Sequence, residues 1–281
     1  MELSAIVINH NTSEMTGRAI ERFLAAAGPA EKEIILIDNG SAEKLAGGFL
    51  ALPELTLISN EKNLGFARAA NQGIRKARGR YILLLNSDCL LAPGSLAPAI
   101  SYLDAHGEAA ILGLKMVYPD GRVQPSFGNF PDLFREIIRF SNLYRLFPGG
   151  TLIKKNLFSG RYFKKPSEVD WVSGGAMMIR REALERLGLL DEEYFFGVED
   201  LDLCFRAKEK GPKVIYFPEA EAVHHHGFSS GGKRSVFSWR NEAEGFDTFF
   251  KKHGGSPGVR HFDRFAYNLR IFIFSLLKGK S

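Results

Sequence analysis

With 281 residues, 45% of them hydrophobic and 25% charged, the chain has the profile of a globular protein long enough to bury a core without disulfide help. Its formal net charge is +5, and it carries no dense Lys/Arg stripe with interleaved aromatics; this argues against a nucleic-acid groove and for an anionic small ligand or a membrane surface. Two distant cysteines, Cys89 and Cys204, form no CxxC pair, which argues against a zinc knuckle and fits a reducing compartment.

Ser4–Ile8 reads as a short β-rich run. Met15, Ala19, Ile20, Phe23 and Ala27 then recur at helical spacing behind Thr12 and Ser13, either of which suits a cap. Glu33–Ile37 is a second strand, followed by a short helical stretch around Leu45–Leu52. Leu55–Ile58 is a third strand, Phe66–Ala77 a helix, and Arg80–Leu85 a fully apolar fourth strand. After Pro93 come another helix and a fifth strand near Ala110–Val117. Apolar runs alternating with amphipathic helices predict an α/β fold with a mostly parallel sheet covered on both faces.

From Tyr118 to about Val169 the periodicity fades into a Pro- and Gly-bearing insertion, with one helical piece near Leu133–Phe140. Order returns at Trp171–Arg180. A helix near Asp200–Lys210, a strand from Val214 towards His226, a Gly/Ser loop at Ser229–Arg234 and helices over Val236–Lys252 and Phe265–Leu277 complete the pattern. The expected organisation is one domain over 1–255, with a first part (1–117) and a second part (118–255). A C-terminal amphipathic tail follows (256–281).

Five constellations can carry chemistry. Asn86-Ser87-Asp88 follows the apolar fourth strand, where open parallel sheets bind ligands. A carboxylate there can hold a hard divalent cation that also bridges a diphosphate, although these residue types equally make a turn. Asp38-Asn39-Gly40-Ser41 ends strand two and suits a nucleoside or a turn. Asn63 through Gly73 opens a helix with small residues and with amides that favour an anion, or that serve tight helix–sheet packing. Glu199, Asp200 and Asp202 crowd one helix start beside Phe195 and Phe196. Dipole compensation accounts for acids at a helix start, but a carboxylate against apolar walls also makes a general base. His224-His225-His226 closes a strand, with His224 and His226 on one face as candidate metal ligands. A nicotinamide fold is disfavoured, because Asn9-His10-Asn11-Thr12 stands where GxGxxG belongs.

Together these residues resemble the inverting family-two glycosyltransferases of GT-A fold, nearest the rhamnosyltransferase-like branch. Ala5–Thr12 resembles that family's opening strand, and Ile37–Ser41 its nucleoside turn. Asn63–Gly73 matches N-x-G-F-A-x-A-x-N-x-G, and Asn86-Ser87-Asp88 stands at the D-x-D position. Ser173–Arg181 matches an acceptor-side glycine segment, Phe196–Arg206 the E-D-x-D-L-C-x-R helix, and His224-x-x-Gly227-x-Ser229 the late H-x-x-G-x-S motif. The match runs in order from about residue 3 to 232.

The resemblance implies a metal-dependent transfer of a sugar from a nucleotide-sugar donor, with dTDP-rhamnose favoured, to a saccharide or lipid-linked saccharide in cell-surface polysaccharide synthesis. It implies Asp200 as catalytic base and Mg²⁺ or Mn²⁺ on Asp88 and His224, with His226 a rival ligand. It implies donor contacts from Asn9, Asp38, Asn39, Asn63, Arg68, Asn71, Asn86, Ser87 and Asp88. Acceptor contacts would come from Trp171, Gly174, Gly175 and Glu199. Lys233 and Arg234 could close over the diphosphate. The departure is Asn86, which replaces the first carboxylate of D-x-D.

A nucleotidyltransferase would want a Gly-rich basic loop after strand one, which Asn9–Thr12 is not. A non-catalytic carbohydrate-binding protein has no use for the Asp88, Asp200 and His224 set. No signal-like leader or apolar run of about 20 residues is present, so the expected location is cytoplasmic, with peripheral contact at the inner face of the plasma membrane. The C-terminal segment, apolar with flanking bases, suits a membrane interface, packing on the domain, or a homodimer contact.

Overall fold

The computed structural model describes residues 1–132, 164–225, 236–254 and 257–278. Strand β1 (Leu3–Asn9) lies between β2 (Lys32–Asn39) and β4 (Tyr81–Asn86), with β3 (Leu55–Asn60) beyond β2, all parallel. β10 (Ala176–Arg180) inserts antiparallel between β4 and β6 (Ala109–Val117). β11 (Lys213–His224) runs parallel to β6 and pairs antiparallel with β5 (Cys89–Leu91) and β8 (Ser167–Glu168). β7 (Phe127–Gly128) and β9 (Trp171–Val172) form a small separate sheet. The sheet is thus mostly parallel, as the alternating pattern predicts. The antiparallel strands β5, β8 and β10 are additions that the periodicity did not separate.

Strand alternation sorts the core into two faces. Ala5, Val7, Leu83 and Leu85 pack against α1 (Ser13–Ala27) and α3 (Leu96–Ala105). Ile6, Ile82 and Leu84 pack against α2 (Phe66–Lys76), α4 (Arg181–Leu187) and α5 (Glu199–Lys210). Each such fully buried side chain contributes about 1.5–3 kcal/mol relative to exposure. A third cluster joins Tyr194, Val198 and Leu201 to α6 (Val236–His253) and α7 (Pro257–Lys278).

Several local expectations change. Thr12 holds the cap position of α1, yet its side chain does not cap; its hydroxyl turns to Asn9 and Ser87. The stretch around Leu45–Leu52 contains only a single 3₁₀ turn, Gly48–Ala51. Trp171–Arg180 is two strands separated by the Ser173–Gly175 turn. The helical piece near Leu133–Phe140 and the Ser229–Arg234 loop, with Lys233 and Arg234, lie outside the described residues, as does His226.

Candidate active site

Parallel pairing brings the carboxyl ends of the central strands to one level, Asn9 opposite Asp38 and Ile8 opposite Asn86. Asn9, only 1% exposed, is fully bonded. Its amide donates to Asp38 Oδ1 at 3.0 Å and to Ser41 Oγ at 2.9 Å. Its Oδ1 accepts from the Thr12 backbone and hydroxyl and from the Thr16 hydroxyl. Ser41 Oγ also donates to Asp38 Oδ1 at 2.5 Å. The Asp38 carboxylate is therefore aimed by two neighbours, and the direct donor contact expected of Asn9 gives way to a positioning role. Asn39 works similarly: its amide donates to Asn63 Oδ1 at 3.0 Å and to Gly65 O, and its Oδ1 accepts from Asn60 and from the Leu64 backbone. Asn63 itself is exposed.

The turn after β4 continues into β5, whose register sets Cys89 opposite His224. Asp88 next to it therefore reaches His224: Oδ1 lies 3.2 Å from Nε2. The His225 backbone N–H donates to Asp88 O at 2.9 Å, fixing the turn. His224 Nδ1 faces Gln124 Oε1 at 2.9 Å. Donation of Nδ1–H there leaves Nε2 as the nitrogen that faces Asp88, the orientation a metal-binding imidazole needs. Ligand atoms of Asp88, Cys89 and His224 lie within 4.8 Å of one another. Burial pushes the Cys89 thiol well above its usual range, and its Sγ–H lies 3.9 Å from Met116 Sδ. Asp88 and His224 thus offer one carboxylate and one imidazole, a pair able to hold a divalent cation. Ser87 Oγ meets Thr12 Oγ1 at 2.9 Å, and Asn86 at the end of β4 donates its backbone N–H to Gly175 O at 2.9 Å.

Asp200 sits in the first turn of α5, half-buried. Its Oδ2 accepts from the Gly174 N–H at 2.8 Å, and its Oδ1 from the Leu201 N–H at 2.8 Å. Burial raises its carboxyl above the ordinary aspartate value, while those two donors pull it back. Glu199 is more enclosed, at 5% exposure, and its Oε2 has no hydrogen-bond partner. Burial first, and the neighbouring Asp200 charge second, push the Glu199 carboxyl up. The residue before them, Val198, holds a left-handed φ of 77°. For a β-branched residue that conformation costs about 1–3 kcal/mol, a strain that functional sites tend to keep.

Other expected contact residues also have partners within the chain. Asn71, 1% exposed, donates to Leu190 O and Glu192 Oε1 and accepts from the Leu190 N–H, so it clamps α2 to the loop before α5 rather than facing a donor. Arg68 is 57% exposed with Nε 3.8 Å from Glu192. Trp171 donates Nε1–H to Asn129 O and packs beneath the second and third apolar clusters. The third acid of the helix start, Asp202, is structural: it accepts from Tyr194 and Arg206 and meets His253 Nε2 at 2.7 Å. Sequence reasoning missed Gln124, Ser41 and Thr12. Gln124 lies where periodicity fades and gives no signal, whereas Ser41 and Thr12 stand inside the matched motifs.

The family model Glycosyl transferase family 2 matches residues 4–188. N-acetylglucosaminyl-diphospho-decaprenol L-rhamnosyltransferase of Mycobacterium tuberculosis is 29% identical over 235 residues, 76% of this chain and 74% of that one. Rhamnosyltransferase WbbL of Escherichia coli is 31% identical over 165 residues, 58% of each. Among solved structures, mannosyltransferase PcManGT from Pyrobaculum calidifontis, in complex with GDP-Man and Mn²⁺, superposes with a TM-score of 0.59 at 17% identity, covering 94% of this chain and 69% of that one. GalNAc-T7 with UDP, GalNAc and Mn²⁺ gives a TM-score of 0.58 at 17% identity, covering 95% and 54%. At such identities the structural likeness speaks for the fold alone, and that fold is GT-A.

Proposed function

Because the chain belongs to glycosyl transferase family 2, we propose that it moves one sugar, with inversion, from a nucleotide-sugar donor at the carboxyl ends of β1, β2 and β4 to an acceptor hydroxyl beside Asp200. The relatives named for rhamnosyl transfer, one of them on a diphospho-decaprenol acceptor, favour rhamnose as the sugar and a lipid-linked saccharide as the acceptor, in cell-surface polysaccharide synthesis.

The single observation that carries this reading is the Asp200 carboxylate. It is held by two backbone donors at a helix start, and burial raises its proton affinity. As the acceptor oxygen forms its bond to the anomeric carbon, Asp200 takes the hydroxyl proton and the nucleoside diphosphate departs from the opposite face. General-base help of this kind is worth about 10²–10⁴-fold. Glu199 beside it, with one unpartnered oxygen, hydrogen-bonds an acceptor hydroxyl at the Gly174–Gly175 turn, and the ring of Trp171, whose N–H is given to Asn129, stacks on the acceptor sugar. Asp38, aimed by Asn9 and Ser41, accepts from the nucleoside. Asn63, Arg68, Asn86 and Ser87 rim the donor. Asp88 and His224 would hold Mg²⁺ or Mn²⁺, which when bound offsets the charge of the leaving diphosphate.

The test is a thermal-shift panel of dTDP, UDP and GDP, each with Mn²⁺, with Mg²⁺ and with chelator. Ligand at 100 times its Kd stabilises by about 2.7 kcal/mol. One nucleotide shifting the transition, and losing that shift with chelator, supports the reading. A shift indifferent to chelator removes the metal, and no shift with any nucleotide moves a non-catalytic carbohydrate-binding role to the front.

A further inference from the structure

Helix α7 has two unlike faces. Val259, Asp263, Ala266 and Tyr267 are buried, and Val259 and Tyr267 enter the apolar cluster shared with α6 and the start of α5. Phe265, Leu269 and Phe272 are 65%, 45% and 61% exposed. At 100° per residue they fall within an arc of about 60°, on the side away from the buried set. Single exposed apolar residues are ordinary, but three large ones forming one stripe mark a binding surface.

The charge around the stripe says what covers it. Residues 257–281 carry Arg260, Arg264, Arg270, Lys278 and Lys280 against one acid, Asp263, which is 3% exposed. Much of the chain's +5 excess therefore sits in this one segment. Arg260 is paired with Asp247, while Arg264 is exposed next to the stripe. An apolar stripe within a basic segment suits a surface that offers both acyl chains and phosphates. A second copy of the chain would bring the same positive charge to the contact. Among the described residues no helix is long and apolar enough to cross a membrane.

We infer that the outer face of α7 docks on an anionic membrane, lying along the surface with Phe265, Leu269 and Phe272 in the acyl boundary and Arg264 at the phosphates. The inference deepens the proposed lipid-linked acceptor, and its purpose rests on that reading. Val259 and Tyr267 share their cluster with Val198 and Leu201, which flank Asp200. Docking of α7 thus couples the base, through one packed cluster, to the surface where a lipid-linked saccharide is anchored.

The test is co-sedimentation of the full chain with vesicles of equimolar phosphatidylglycerol and phosphatidylcholine, and with phosphatidylcholine alone. The wild-type chain should pellet with the anionic vesicles, less so in high salt. A triple variant, Phe265→Ser with Leu269→Ser and Phe272→Ser, should bind about tenfold more weakly while keeping its melting temperature. Wild-type protein left in the supernatant, or equal pelleting by the triple variant, overturns the inference. So does a variant that only converts a dimer to a monomer in sedimentation velocity. The nucleotide thermal shift with Mn²⁺, read on the same samples, separates the two readings: its loss with vesicle binding intact sinks the transferase site and leaves the membrane face standing.

Discussion

Gly174 donates its backbone N–H to Oδ2 of Asp200 at 2.8 Å, tying the turn between β9 and β10 to the first turn of α5. The turn between these two strands thereby meets the helix that carries the proposed base. The same carboxylate takes the Leu201 N–H on its other oxygen, so its orientation is set before any substrate arrives. Preorganisation of this kind lets a base act without reorganising during the reaction.

Asp200→Asn preserves the shape and one of the two acceptors but cannot take a proton. Turnover should fall about 10²–10⁴-fold, while the nucleotide-induced thermal shift stays, because Asp38 and the Asp88–His224 pair are untouched. Steady-state kinetics beside thermal shift on one preparation check this. Turnover equal to wild type removes Asp200 from the base role.

The Glu199 carboxyl is pushed up from its ordinary value of 4.5 by burial and by Asp200. Between 4.5 and a folded-state value pushed up to about 8, the native state holds a proton that the unfolded chain has already released. By linkage, stability is then full below 4.5 and falls as pH rises towards the folded-state value. Glu199→Gln deletes the titration. Its melting temperature should match wild type in acid and exceed it at neutral pH. Melting curves that stay parallel across the range contradict the burial argument. Activity should move oppositely to wild-type stability, rising with pH as Asp200 ionises above the ordinary aspartate range.

Gln124 touches no proposed substrate, yet its Oε1 faces Nδ1 of His224 at 2.9 Å and is 4% exposed. Partners of this kind fix the ligand's tautomer, and losing one typically weakens metal binding about 10–100-fold. Gln124→Met keeps the volume and removes the acceptor. The Mn²⁺ concentration needed for half-maximal nucleotide shift should rise accordingly, with the metal-free melting temperature lowered by far less. An unchanged Mn²⁺ requirement would show that His224 needs no orienting partner.

Asp202 stands two residues from Asp200 but serves the scaffold. At 1% exposure it binds Tyr194 OH, Arg206 Nε and His253 Nε2, linking the loop before α5 to the end of α6. Asp202→Ala leaves a partly buried guanidinium with carbonyl partners but no counter-charge, and a buried phenol without its acceptor, a loss of about 3–5 kcal/mol. For a chain of this size the melting temperature should drop on the order of 10 °C. A drop of only a degree or two, measured by calorimetry, would mean the network relaxes around the hole.

Much of this site is legible in the residues because its parts are local. Asp38-Asn39, Asn86-Ser87-Asp88 and Glu199-Asp200 follow or open elements whose periodicity is plain, and a parallel sheet gathers strand ends at one edge. What is not legible depends on distant pairing. The two-residue and three-residue strands are too short to show a period. The Cys89–His224 register joins segments 135 positions apart and alone explains why Asp88 meets His224. Asn9 and Asn71 look like ligand contacts in a motif. Only the fold shows that their amides are spent on Asp38, Ser41, Leu190 and Glu192.

Gly65 offers the last test, because it joins the proposed donor side to the turn before Asp200. Its φ is +87°, and a Cβ there would lie 2.6 Å from Phe195 O. That carbonyl accepts the Phe66 N–H at 2.8 Å, which seats the start of α2 on the turn leading to Val198 and Asp200. Gly28 is the control: its φ is +55°, but a Cβ there meets nothing within 4 Å. Gly28→Ala should therefore cost only backbone strain, about 1–3 kcal/mol. Gly65→Ala must also push Phe195 away, which shifts the turn before the base. Its melting temperature should fall further than that of Gly28→Ala, and its turnover should fall while Gly28→Ala turns over normally. If both variants lose the same stability and neither loses activity, the Phe66–Phe195 contact does not govern the placement of Asp200.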